Sequence, residues 1–171
     1  MEAIIAVIGT LLGAALGVAG SYITQRAGHR RESRERLATI RRLTYVEYLT
    51  AVHDMFGLIT EAHKLHRDGS ITAGEMNRQL HQVSARSAQT ALKHVRLISS
   101  DTVAAASADL WERMRRDRAP LGHGRVDHWR EFTQWRGRYW SARQAFIDAA
   151  RQDLGFPPLD WTSAGVGPAK R

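Results

Sequence analysis

The chain has 171 residues and a formal net charge of +8, from 25 Lys and Arg against 17 Asp and Glu. It has no cysteine, which excludes disulfides, thiolate metal sites and cysteine nucleophiles. About 120 patterned residues follow an apolar start, enough for one domain, and the basic balance admits nucleic acid, anionic lipid or acidic protein as partner without choosing among them.

Ala3 to Thr24 is a run of 22 residues without a charge. As a helix it would span roughly 33 Å, against a hydrocarbon core of about 30 Å. A signal peptide would place positive charge before the apolar run, but the only charged side chain there is Glu2. Arg26, Arg30, Arg31, Arg34, Arg36, Arg41 and Arg42 follow the run, opposed only by Glu32 and Glu35. Arginine at that density keeps its side of a span cytoplasmic. The expectation is therefore an uncleaved inner (plasma) membrane anchor, N-terminus outside and body inside. Within the span Gly9, Gly13 and Gly17 recur every fourth residue. Such a row lets two helix backbones approach closely, so a homodimer through this glycine face is expected. Arg26, Arg30, Arg31 and Arg34 are expected to meet anionic headgroups, each contributing about 1 kcal/mol close to the surface.

A long helix is expected from about Arg31 to His66. Its apolar stripe is Leu37, Ile40, Tyr48, Val52, Met55, Ile59 and Ala62, with Thr44 filling the one wide step. Gly28 is where it could loosen on leaving the bilayer, and Arg31–Glu35 and Glu32–Arg36 are i,i+4 pairs. Arg67 to Ser70 reads as a turn. Thr72 and Glu75 then have capping-box form. A second helix would run to about Ser99, burying Met76, Leu80, Val83, Ser87, Ala91, His94, Val95 and Ile98. A third, from about Asp101 to Arg118, starts at a Ser-Ser-Asp-Thr cap and buries Val103, Leu110, Trp111 and Met114. A fourth spans about Val126 to Leu154, stopped by Gly155. No strand-like alternation of any length is present. The fold expected is all-α: an N-terminal transmembrane helix followed by an antiparallel bundle of about four helices. Its divisions are an anchor over 1–25, a basic juxtamembrane segment over 26–36, the bundle over 37–155 and a flexible tail over 156–171, from which Trp161 alone could dock back.

His128 to Arg143 interleaves aromatics with arginine, a mixture able to stack bases and bind phosphate. On a helical projection Trp129, Phe132, Trp135, Tyr139, Trp140, Phe146, Ile147 and Ala150 share one arc of roughly 140°. One wide stripe on the last helix of a bundle is more simply its core. Arg136 and Arg143 fall within that arc, seven apart, and Glu47 and Asp54 are also seven apart on the first helix. If the two helices pack antiparallel, Glu47 could meet Arg143 and Asp54 could meet Arg136, because partly buried arginine usually finds a partner. Stacking of the same arginines on Trp140 is the competing arrangement. His63 and His66 form an HxxH pair, but a metal site needs three or four ligands and no HExxH accompanies them. No phosphate loop and no local nucleophile motif is present. Hence no catalytic residue, metal or cofactor is expected, and no enzyme.

Gly9 to Gly17 with Arg30-Arg31, "YVEYL" at Tyr45 to Leu49, "VRLISSDTVAAA" at Val95 to Ala106 and "FIDAARQDLG" at Phe146 to Gly155 resemble a group of small actinobacterial membrane proteins. The resemblance implies one N-terminal span, an arginine-rich exit and an all-helical cytoplasmic domain. It carries over no catalytic or ligand residue. The function expected is a single-pass, membrane-anchored interaction module with a protein partner that the sequence does not name. The alternative is a membrane-tethered binder of nucleic acid or another polyanion, with nucleic acid disfavoured so near a bilayer.

Overall fold

The computed structural model describes the backbone over residues 2–116 and 128–161, and side chains over 32–115 and 129–161. Among these residues the fold is all-helical. It comprises α1 (Glu2–Arg67), α2 (Ala73–Gln82), α3 (Arg86–Ile98), α4 (Asp101–Arg116) and α5 (His128–Asp153). The chain divides into two compact units, Met1–Ile40 and Arg41–Arg171.

The first unit is α1 alone. Its helix continues through Gly28 without a break. Glu32 and Arg36 pair across one turn, and the Thr39 hydroxyl donates to the Glu35 carbonyl. Leu37 and Ile40, expected in the buried stripe, are 43% and 52% exposed, because this unit holds no second helix to cover them. Among the described residues no helix is long and apolar enough to cross a membrane. The side chains of Ala3 to Thr24, which carry the expected span, lie outside the described residues, as does the Arg31 side chain expected to pair with Glu35.

In the second unit α1 continues from Arg41 and buries Thr44, Tyr45, Tyr48, Val52, Met55, Phe56, Ile59 and Ala62. The 3.6-residue period puts these on one face. α5 packs antiparallel along it: Tyr48 meets Phe146, Phe56 stacks on Tyr139 and His63 meets Phe132. α3 also runs antiparallel to α1. Arg41 reaches its last carbonyl at Ile98, and Glu47 lies beside His94. α4 packs against both α3 and α5. The Tyr48 hydroxyl crosses the core to donate to the Ser107 carbonyl on α4, 2.7 Å away. α1, α3, α4 and α5 therefore make an up-down-up-down bundle, with α2 inserted in the first connection. Trp135, Tyr48, Tyr139, Phe132 and Phe146 are fully buried. Each such side chain contributes about 1.5–3 kcal/mol through the area it removes from water.

Local chemistry sets the helix ends. At the end of α1, Gly69 adopts φ +75° and its N–H donates to His66, while Ser70 N–H donates to Leu65. The same pattern closes α5, where Gly155 has φ +82° and the Gly155 and Phe156 N–H groups donate to Gln152 and Arg151. These paired bonds satisfy carbonyls that the helix leaves open, and the left-handed φ suits glycine. Thr72 and Glu75 form the expected reciprocal capping box.

Two expectations change. The second helix is not continuous to Ser99. It breaks after Gln82, with Val83 extended, and restarts at Arg86, whose N–H donates to the Ser84 hydroxyl. A serine offering the backbone a local acceptor competes with helix in this way. On α3 Ala91 and Val95 are buried as expected, joined by Ala88 and Leu92, while Ser87 is exposed. His94, one side of the expected stripe, is exposed at the edge of α3. The tail, expected to be flexible from Phe156, is held on α5 as far as Trp161. Leu159 N–H and Trp161 Nε1–H both donate to the Asp148 carboxylate, and Arg151 Nε–H donates to the Pro157 carbonyl. Residues 162–171 lie outside the description.

Candidate functional site

Gly9, Gly13, Gly17, Arg26, Arg30 and Arg31 lie on the helical backbone of α1, but their side-chain surroundings are outside the described residues. Arg34 is exposed. The described side chains do not bear on the membrane roles expected of these residues.

The four residues expected to form a charge ladder are all described, and the chain does not form it. Glu47 lies with its carboxylate 4.0 Å from His94 Nδ1. Arg143 holds its guanidinium 5.1 Å from the centre of the Trp140 ring, which is the stacking arrangement weighed against the ladder. Asp54 is exposed and Arg136 half-buried, and neither has an ion-pair partner among the described residues. Two geometric facts explain the outcome. The helices do pack antiparallel, but the contacts of Tyr48 with Phe146 and His63 with Phe132 set the register. That register places Arg143 level with Val52, not Glu47, and Arg136 level with Ile59, not Asp54. In addition Asp54 precedes Phe56 by two residues, which is about 200° around the helix. Phe56 faces α5, so Asp54 turns away from it.

The charge cluster that does form lies elsewhere. The Asp153 side chain is only 6% exposed and accepts the Tyr45 hydroxyl at 2.6 Å. Arg41 NH1 approaches the same carboxylate oxygen at 3.3 Å, and Arg41 Nε donates to the Ile98 carbonyl at 2.7 Å. One arginine thus joins α1 to the C-terminal ends of α3 and α5, and supplies a donor to a carbonyl at the end of α3. Sequence reasoning placed Arg41 in the membrane-facing arginine run and missed this role. Arg41 and Asp153 are separated by more than a hundred residues, and no local spacing signals their meeting.

Burial governs the tyrosines. It pushes the Tyr139 phenol up to about 12, partly offset by the neighbouring Arg143 cation. Burial also raises Tyr45, with help from the hydrogen bond to Asp153, and raises Tyr48. His63 and His66 have different surroundings. His63 is fully buried against Phe132, while His66 Nδ1 sits 3.2 Å from the Ile71 carbonyl. Among the described residues no group of three or more His, Asp or Glu is placed to hold a metal ion. Trp135 is fully buried and hydrogen-bonds the Arg113 carbonyl, and Trp140 is half-buried. The aromatic arc of α5 is therefore mainly core and not a stacking platform.

Comparison with protein-family models, with curated proteins and with solved structures gives no match for this chain.

Proposed function

We propose that the protein is a single-pass inner-membrane protein, N-terminus outside, whose helical body is a cytoplasmic interaction module without catalytic activity. The observation that carries this reading is the junction at Gln25: 22 uncharged residues on one side, and seven arginines over residues 26–42 on the other. The helical backbone over Ala3 to Thr24 supports it, since a segment crossing a bilayer must satisfy its own backbone groups. Gly9, Gly13 and Gly17 supply a face for a second anchor helix, and Arg26, Arg30, Arg31 and Arg34 supply charge for anionic headgroups. Anchoring raises the local concentration of the body at the bilayer, and pairing of anchors doubles its valency. The resemblance read from the sequence motifs implies the same topology.

The test is fractionation of expressing cells with an alkaline wash, followed by crosslinking of the full chain and of the fragment 29–171. The full chain is expected to stay in the washed membrane and to crosslink a protein that the fragment does not. Release by the wash would remove the anchor. Binding of both forms to nucleic acid, weakening steeply with salt, would favour the polyanion reading instead.

A further inference from the structure

Asp54 and Glu61 stand seven residues apart on α1, and Arg136 and Arg143 stand seven apart on α5. Both acids are exposed and both arginines half-buried. Glu61 precedes His63 by two residues, as Asp54 precedes Phe56, so both acids turn about 200° from the side of α1 that meets α5. The acidic row and the arginine row therefore occupy different faces of one body and cannot satisfy each other within it. We propose that they pair between copies: the Asp54–Glu61 row of one chain docks on the Arg136–Arg143 row of the next.

Three observations select a second copy as the occupant. First, the rows are complementary in sign and equal in spacing. Second, α1 and α5 run in opposite directions. Two copies standing the same way up, which rests on the membrane reading above, thus bring an α1 against a neighbouring α5 in antiparallel sense. Third, the heights agree. Arg143 is level with Val52 and Arg136 with Ile59 inside one chain. Asp54 and Glu61 are each two residues further along α1, a stagger of about 3 Å at about 1.5 Å per residue. An arginine side chain spans that readily. Copies at equal height therefore set Asp54 against Arg143 and Glu61 against Arg136. Because the two rows are different surfaces, the contact is heterologous and each copy can bind a neighbour on either side. The assembly extends beyond a dimer.

The chain lacks cysteine, so paired substitutions report the contact cleanly. The full-length chain carrying Glu61→Cys and Arg136→Cys is treated in isolated membranes with a bifunctional maleimide whose reach matches that of the side chains replaced, since a direct disulfide would need a closer backbone approach than a Glu–Arg pair does. Dimers and higher crosslinked species are expected, and neither single variant should give that ladder. Adding Asp54→Arg should reduce the ladder several-fold by setting like charges together, and adding Arg143→Asp as well should restore it. Asp54 is exposed, so Asp54→Arg alone carries the test if the Arg143 variant fails to fold. Membrane-bound protein that gives no 61–136 crosslink, or a ladder indifferent to Asp54→Arg, overturns the pairing and leaves the membrane reading standing. Protein found in the soluble fraction that still shows loss and recovery overturns the membrane reading and keeps the pairing.

Discussion

Asp153 sits at the end of α5 with a phenol and a guanidinium on the same carboxylate oxygen. A nearly buried carboxylate holds its charge only when such partners replace water. Tyr45→Phe removes one donor and leaves Arg41 in place, so a loss of about 1 kcal/mol is expected in denaturant unfolding. Asp153→Ala strips both donors of their acceptor and should cost about 2–3 kcal/mol. Equal losses for the two variants would show that Arg41 contributes nothing there. Tyr139 gives a pH signature. Its phenol is pushed up to about 12 from an ordinary 10.0. Below pH 10 both folded and unfolded chains keep the proton. Between pH 10 and 12 the unfolded chain releases it and the folded chain holds it, so stability falls as pH rises through that window. Tyrosinate absorbance should show three of the four tyrosines ionising only with unfolding. Normal titration of those three in the folded protein would contradict the burial of Tyr45, Tyr48 and Tyr139.

Helix ends with a side-chain or glycine signal were readable in advance. Thr72 with Glu75, and Gly155, stand where the structure uses them, and α4 begins at Asp101, within the Ser-Ser-Asp-Thr stretch. The break between α2 and α3 was not readable. Val83-Ser84-Ala85 contains no glycine or proline, and the local feature at the restart is the Ser84 hydroxyl accepting from the Arg86 N–H. Element pairing was half readable. Periodicity gives each helix a face, and short links make neighbours antiparallel, but register depends on which large rings interlock. Phe56 on Tyr139 and Tyr48 on Phe146 set α1 against α5 five residues from the register that a Glu47–Arg143 pair would need. Glycines test this level of description. Gly155 has φ +82°, so Gly155→Ala should lower stability by about 1 kcal/mol. Gly137 lies within α5, and a Cβ there would meet nothing within 4 Å. Gly137→Ala should therefore raise stability by about 0.5–1 kcal/mol. Thermal melts of both variants give opposite signs if these assignments hold.

On the scale of the whole molecule, an apolar run and an arginine run precede, in the sequence, the helices that form the bundle. The proposed place at a membrane rests on charge and hydrophobic length alone. The chemical detail of the bundle is not, because Arg41, Tyr45, Ile98 and Asp153 come together only through tertiary packing. Neither the sequence motifs nor the described residues carry a local signature of an activity, so the functional account rests on the proposed membrane attachment and the proposed self-pairing. The most direct measurement of its central claim is labelling of single cysteines in the otherwise cysteine-free full-length chain, using a maleimide that cannot cross membranes. Glu2→Cys should react in intact cells, and Ser87→Cys, at an exposed position in the body, should react only after lysis. Reaction of both only after lysis, or of Ser87→Cys in intact cells, would contradict a single span with its helical body inside.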